Sequence, residues 1–147
     1  MARGKFKSKR EFVEIMDDLF SMMSTDPGVG PKLAAARVPQ RWEFTDLKLA
    51  LNVTYADSKT AQKGHFLKWV WGDEDCDWDC AVEMKMKSEI ANRYFQGKEN
   101  VPLAIARGRI KARGSVPKAL KLIPITKPIY RLYREMLEDE GHNHLLL

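Results

Sequence analysis

The chain has 147 residues, of which 44% are hydrophobic and 31% charged, with a formal net charge of +5. That length suits one domain able to bury a real core, and the composition excludes disorder and collagen-like repeats, while two cysteines are too few for a disulfide framework. No apolar run approaches the ~20 residues needed to cross a bilayer, and the basic first ten residues lead into Glu11, Asp17 and Asp18 rather than an apolar leader, so a cytoplasmic setting is expected.

Taken in chain order, Phe12, Ile15, Met16, Leu19, Phe20 and Met23 recur at helical spacing and predict an amphipathic helix over 9–23. The turn-rich run 26–31 ends it, a short helix is expected over 32–37, and Pro39 closes that one. From Trp42 the period changes to two, with Leu47, Leu49, Leu51, Val53 and Tyr55 on one face of a strand and Lys48, Ala50, Asn52 and Thr54 on the other. A loop from Asp57 leads to a second strand, 65–71, and then to an acidic turn. Trp78, Cys80, Val82, Met84 and Met86 alternate as a third strand, so the three strands are expected to form an antiparallel meander. Next come a helix capped by Ser88 and stopped at Gly97, and a short helix over 103–106. A strand over 107–114 is expected to carry Arg107, Arg109, Lys111 and Arg113 on its outer face. A helix opening at 115–117 and interrupted by Pro124 precedes a last helix with Ile129, Leu132, Tyr133, Met136 and Leu137 on its stripe. The expected organisation is a single domain, with N-terminal helices in 1–40, a sheet with covering helices in 42–137, and a polar tail in 138–147.

Charge is unevenly placed. Residues 43–83 hold nine acids against four lysines, whereas residues 85–134 hold thirteen Lys or Arg against two glutamates. The basic half fits an anionic head group, an acidic membrane, a protein partner or an RNA backbone. For a nucleic-acid module it lacks stacking aromatics, with none between Arg107 and Lys127.

Little in the chain speaks for catalysis. There is no nucleophile elbow, phosphate loop, dinucleotide fingerprint or His-Glu-x-x-His. On a strand Cys76 and Cys80 would lie about 13 Å apart, too far to bridge or chelate together, and they read as small residues in a core-facing row. His65 stands alone, His142 and His144 fall in a tail expected to fray, and the acidic run 73–79 lacks calcium-loop spacing and reads as a solvated turn. No metal, cofactor or catalytic residue is expected. What the chain has in excess is adaptable apolar bulk, with seven Met, four Trp, six Phe and four Tyr.

Residues 79–122 resemble the sterol carrier protein 2 family. The resemblance is carried by the strand Asp79-Cys-Ala-Val-Glu-Met-Lys-Met-Lys-Ser88, then Tyr94-Phe-Gln-Gly97, Pro102-Leu-Ala104, Arg107-Gly-Arg-Ile-Lys-Ala-Arg-Gly114 and Ala119-Leu-Lys-Leu122, in family order and spacing. Departures are Ala81 for a frequent Thr, Ala112 for a larger aliphatic and Ala119-Leu120 for Leu-Ala. The resemblance implies an α+β fold: a mixed, mainly antiparallel sheet of about five strands, covered on one face by helices, with an apolar tunnel between the layers. It implies a non-enzymatic protein that binds and transfers lipid, whether sterol, fatty acid or fatty-acyl-CoA. An accessory domain of a lipid- or quinone-metabolising enzyme is the alternative. The tunnel-lining residues it implies are Val82, Met84, Phe95, Leu103, Ile105, Ile110, Leu120 and Ile123. The partners expected are a lipid and, transiently through the basic strand, an anionic membrane; nucleic acid is not expected, and the oligomeric state is left open.

Overall fold

The computed structural model describes residues 3–57 and 64–147. Most of the loop expected after Asp57, residues 58–63, lies outside the described residues. Helix α1 (Lys9–Thr25) matches its apolar stripe. Ser8 caps it by accepting from the Glu11 N–H at 3.0 Å, while the Glu11 carboxylate reaches back to the Lys7 N–H at 2.9 Å. Six apolar side chains of this helix, Phe12 to Met23, are buried, each stabilising the fold by roughly 1.5–3 kcal/mol.

Helix α2 (Val29–Ala36) begins three residues before its expected start. The Asp26 carboxylate accepts from the Gly28 and Val29 N–H groups at 2.8 Å, and Pro31 sits in the first turn, where its missing donor costs nothing. Gly30 allows this early start. A Cβ there would stand 2.8 Å from the Ser24 carbonyl and 2.9 Å from the Phe66 ring.

Residues 42–55 form two strands rather than one. Strands β1 (Gln40–Phe44) and β2 (Leu49–Tyr55) pair as an antiparallel hairpin, Trp42 opposite Leu51. The turn between them has neither Gly nor Pro, and Lys48 takes a left-handed conformation (φ 51°) to close it. Strand β3 (Leu67–Trp71) pairs antiparallel with β2, and β4 (Val82–Met86) pairs parallel with β1. Strand β5 (Lys111–Gly114) pairs antiparallel with β4. The order β3-β2-β1-β4-β5 makes an open, mixed sheet in which the expected third strand lies at the far side of β1 instead of beside β3. At its end Gly114 (φ +87°) passes so near Ala81 that a Cβ would meet that carbonyl oxygen at 2.5 Å.

The connection from β3 to β4 therefore crosses the sheet. Residues 72–81 form no strand and run over its polar face as a strap. Asp73 takes two hydrogen bonds from the Arg41 guanidinium, both at 2.9 Å, and one from Asn52 at 3.0 Å. Lys68 lies over the Trp78 ring, 4.9 Å from its centre. Arg41 also reaches Glu43 at 2.9 Å and Glu83 at 2.7 Å. The acidic run is thus partly a fastening to the sheet rather than only a solvated turn, and its cysteines are not core-facing: Cys76 is half-buried and Cys80 exposed.

These contacts set the acid sensitivity. The hydrogen bonds from Arg41, then Asn52, hold the Asp73 carboxyl at about 2. For Glu99, burial pushes upward, but hydrogen bonds from Arg93 and Arg109 outweigh it and the pKa is lowered. Burial also pushes Glu11 upward and is outweighed by the hydrogen bonds from His144 and the Lys7 N–H, so it too is lowered. Carboxylates depressed in the folded state stabilise it above their unfolded values near 4, and that contribution is lost as pH falls toward 2. Urea midpoints are expected to fall from about pH 4 downward, and D73N to shrink that fall; equal falls in both proteins would refute the role of Asp73.

Helices cover the other face. Helix α3 (Ser88–Phe95) has Ser88 as its first residue rather than its cap. Its free N–H end is met from a distance by Asp46 in the hairpin turn, which accepts from the Ser88 N–H at 2.8 Å and hydroxyl at 2.7 Å. Helix α4 (Val101–Ala106) is capped by Asn100. Helix α5 (Val116–Leu120) leads into α6 (Leu122–Asp139), which Pro124 does not interrupt because it falls in the first turn.

The tail does not fray. After a short 3-10 turn (Asn143–Leu145), Leu145 is fully buried and the Gly4 N–H donates to the His144 carbonyl at 2.7 Å. Asn92 and Gln96 donate to the Leu145 carbonyl at 2.9 and 2.8 Å, and the Tyr133 hydroxyl donates to Asn92 at 2.7 Å. Among the described residues no helix is long and apolar enough to cross a membrane.

Candidate functional site

Aromatic side chains close one end of the interlayer space. Phe12 meets Phe44 at 4.6 Å between ring centres, and Asp17 accepts from both the Trp69 and Trp71 indoles, at 3.1 and 2.7 Å, fastening α1 to β3. Further along, the Trp42 ring stacks on Phe95 at 5.8 Å, and beyond this pair the layers separate around a cavity.

Its floor is Trp42, Val53, Leu67, Met84 and Met86 from the sheet. Its walls come from every helix: Phe20 and Met23 of α1, Leu33 of α2, Tyr94 and Phe95 of α3, Val101 and Ile105 of α4, Ala119 and Leu120 of α5, and Ile123 of α6, with Ile110 before β5. The space between these side chains, mouth included, is about 860 Å³, but the centre of a water molecule has only about 60 Å³ to move in. As it stands the cavity is a narrow slot, room for roughly four waters at about 15 Å³ each.

The polar groups in the lining are few and mostly engaged. Thr126 donates to the Leu122 carbonyl at 2.8 Å, and Gln40 accepts from the Trp42 indole at 3.2 Å. Burial pushes the Tyr94 phenol far above its ordinary range, so it stays neutral. No lining residue is a carboxylate, imidazole, thiol or amine. Such a lining can hold an apolar chain by exclusion of water and by the softness of Met23, Met84 and Met86. Among the described residues no three His, Cys, Asp or Glu side chains converge on a metal-binding geometry.

Of the eight residues the resemblance pointed to, Met84, Phe95, Ile105, Ile110, Leu120 and Ile123 stand in the lining. Val82 and Leu103 do not. Val82 is buried in the core outside the cavity, and Leu103 is 39% exposed because α4 turns Val101 and Ala104 inward instead. Lining residues from α1, α2 and the first three strands lie before residue 79, where the resemblance begins, whereas Met86, Tyr94, Val101 and Ala119 lie within it but outside the eight it pointed to. Trp42 and Val53 could have been found from strand alternation, and Phe20 and Met23 from the α1 stripe.

The expected basic row also breaks up. Arg107 ends α4, Gly108 turns the chain (φ +77°), and the strand starts only at Lys111. Arg109 pairs with Glu99 at 2.6 Å and Arg113 with Glu83 at 3.7 Å. The three histidines are held within the fold: His65 meets the Ser24 hydroxyl at 2.9 Å, His144 meets Glu11 at 3.0 Å, and His142 lies 3.7 Å from Glu140.

No protein-family model and no curated protein matches the chain. Solved structures do. The apo form of sterol carrier protein 2 from Yarrowia lipolytica is 16% identical, with a TM-score of 0.59 over 86% of this chain and 97% of that one. The sterol carrier protein domain 2 of Helicoverpa armigera is also 16% identical, with a TM-score of 0.56 over 88% and 95%. The fold is that of sterol carrier protein 2. A ubiquinone synthesis protein, UbiJ-SCP2, shares the sterol carrier protein 2 fold at 8% identity and a TM-score of 0.58, over 80% of this chain and 94% of that one. The sec-alkylsulfatase Pisa1 from Pseudomonas sp. is 22% identical with a TM-score of 0.56, over 74% of this chain but 15% of its own length. The sterol carrier protein 2 fold thus occurs both at the size of this chain and as a small part of a much larger enzyme.

Proposed function

We propose that the protein binds a lipid in the interlayer cavity and carries it without chemical change. One observation carries the reading: every helix and the inner sheet face converge on an uncharged, methionine-rich slot. Burying a 16-carbon chain at ~0.8 kcal/mol per CH₂ is favourable by on the order of 11 kcal/mol, against at least about 4 kcal/mol for lost freedom. That surplus supports micromolar affinity even after some is spent on opening the slot. The same lack of polar contacts favours a fatty acid, fatty-acyl-CoA or sterol chosen by shape rather than by hydrogen bonding, and a cytoplasmic carrier handing it between membranes or enzymes.

A fluorescent fatty acid is expected to bind saturably at 1:1 and to be displaced by unlabelled long-chain lipid. Absence of saturable binding by folded protein overturns the reading. A second role, as a non-catalytic accessory domain of a larger lipid-metabolising enzyme, draws support from the sulfatase likeness; co-purification with such an enzyme, lost when the cavity is filled, would identify it.

A further inference from the structure

The cavity meets solvent where its lining is only half covered, at Leu33 on α2, Gln40 and Tyr55 on the sheet, Ile105 on α4, Val116 and Leu120 on α5, and Ile123 on α6. Helices α2, α5 and α6 also carry Lys32, Lys118 and Lys127, with Lys121 between the last two helices, all exposed. None of these four ammonium groups takes part in an ion pair or hydrogen bond among the described residues. By contrast, Arg41, Arg93, Arg109 and Arg113 each sit on a carboxylate. Helix α2 has no acid, and residues 100–134 hold nine Lys or Arg and no Asp or Glu.

We propose that this mouth face is a docking surface for an anionic lipid bilayer, seated so that the cavity opens onto the head groups. The proposal moves the expected membrane contact from the strand at 107–113, whose arginines are largely paired within the fold, to α2, α5 and the start of α6. Unpaired lysines alternating with half-exposed Val116, Leu120 and Ile123 match an interface that is anionic outside and apolar beneath. Nucleic acid fits less well, because the one aromatic among these half-covered mouth residues, Tyr55, already has Arg37 over its ring at 4.3 Å. Its use rests on the lipid-carrying reading: a ligand passing from a seated mouth into the bilayer avoids bulk water.

The test is co-sedimentation with vesicles of phosphatidylcholine alone or with about a third phosphatidylglycerol, at near-physiological salt. The protein should pellet with the anionic vesicles only. Each lysine near such a surface is worth a factor of about five in partition, so K118E/K121E should lower it at least about 25-fold. K111E, an exposed cation on β5 rather than on the mouth helices, should lower it less than about fivefold. Equal binding to neutral vesicles, an unaffected double variant, an equal loss in K111E, or displacement from vesicles by an oligonucleotide would each overturn the docking surface. A neutral naphthylamine dye separates the two readings. The double variant should bind it like the parent. Vesicle binding without dye or fatty-acid binding would support docking while refuting the cavity's role, and dye binding without anionic vesicle binding would do the reverse.

Discussion

Replacing Asn92 with leucine is expected to destabilise the protein by roughly 3–5 kcal/mol, read as a shift of the urea midpoint and a melting temperature lower by about 10 °C. The residue is fully buried and all its hydrogen-bonding capacity is in use. It donates to the carbonyls of Gly4 and Leu145 at 3.2 and 2.9 Å and accepts from Gln96 and Tyr133 at 3.0 and 2.7 Å. Leucine keeps most of the volume but strands the Tyr133 hydroxyl and the Gly4 carbonyl, each at about 1–3 kcal/mol. Y133F, which removes the stranded hydroxyl with its partner's loss limited to one bond, should cost only about 1 kcal/mol. A loss under about 1 kcal/mol for Asn92→Leu would show that the Asn92 hydrogen bonds do not hold the tail.

Met84→Trp is expected to weaken binding of a fluorescent fatty acid at least about tenfold, or 1.4 kcal/mol, while the protein stays folded. Met84 stands on β4 between Trp42 on β1 and Ala112 on β5, with its side chain in the cavity floor. The added indole occupies the slot that a chain would enter, and overpacking costs about 1–3 kcal/mol, which a fold of this size tolerates. Unlike a buried charge, the change leaves the lining apolar, so lost binding reports lost space. Unchanged affinity in a folded variant would remove Met84, and with it this part of the slot, from the ligand's path.

The parts of the molecule written as strong periodicity were legible. The α1 stripe, the return to helical spacing at α3 and the stripe at 129–137 each appear in the fold where the pattern put them. The β1–β2 hairpin was not, because Leu47 and Leu49 continue the parity of Leu51 and Val53 straight through a turn that has no Gly or Pro. The parallel pairing of β4 with β1 depends on which edge a strand joins, which alternation within the strand does not encode. Pro124 misled because a proline that breaks a helix interior also suits a first turn. The tail misled because two histidines and an asparagine suggest solvent, whereas buried Leu145 and the carbonyls of His144 and Leu145 carry the docking. In the cavity, six lining residues came from motif order, while Phe20, Trp42 and Val53 lay where no motif pointed.

The junction of Gly4 with His144 has a consequence for how the chain is made. The two residues joined there, 4 and 144, lie 140 positions apart in the sequence. At about 5–20 residues per second on a ribosome, roughly 7 to 28 s separate their syntheses. In the later part of that interval, after α3 has formed, Asn92 lacks the Leu145 carbonyl to which it donates in the finished fold. His144 and Leu145 thus act as a keystone: the nascent domain can collapse around α1 and the sheet, but this corner closes only after these two residues have been made.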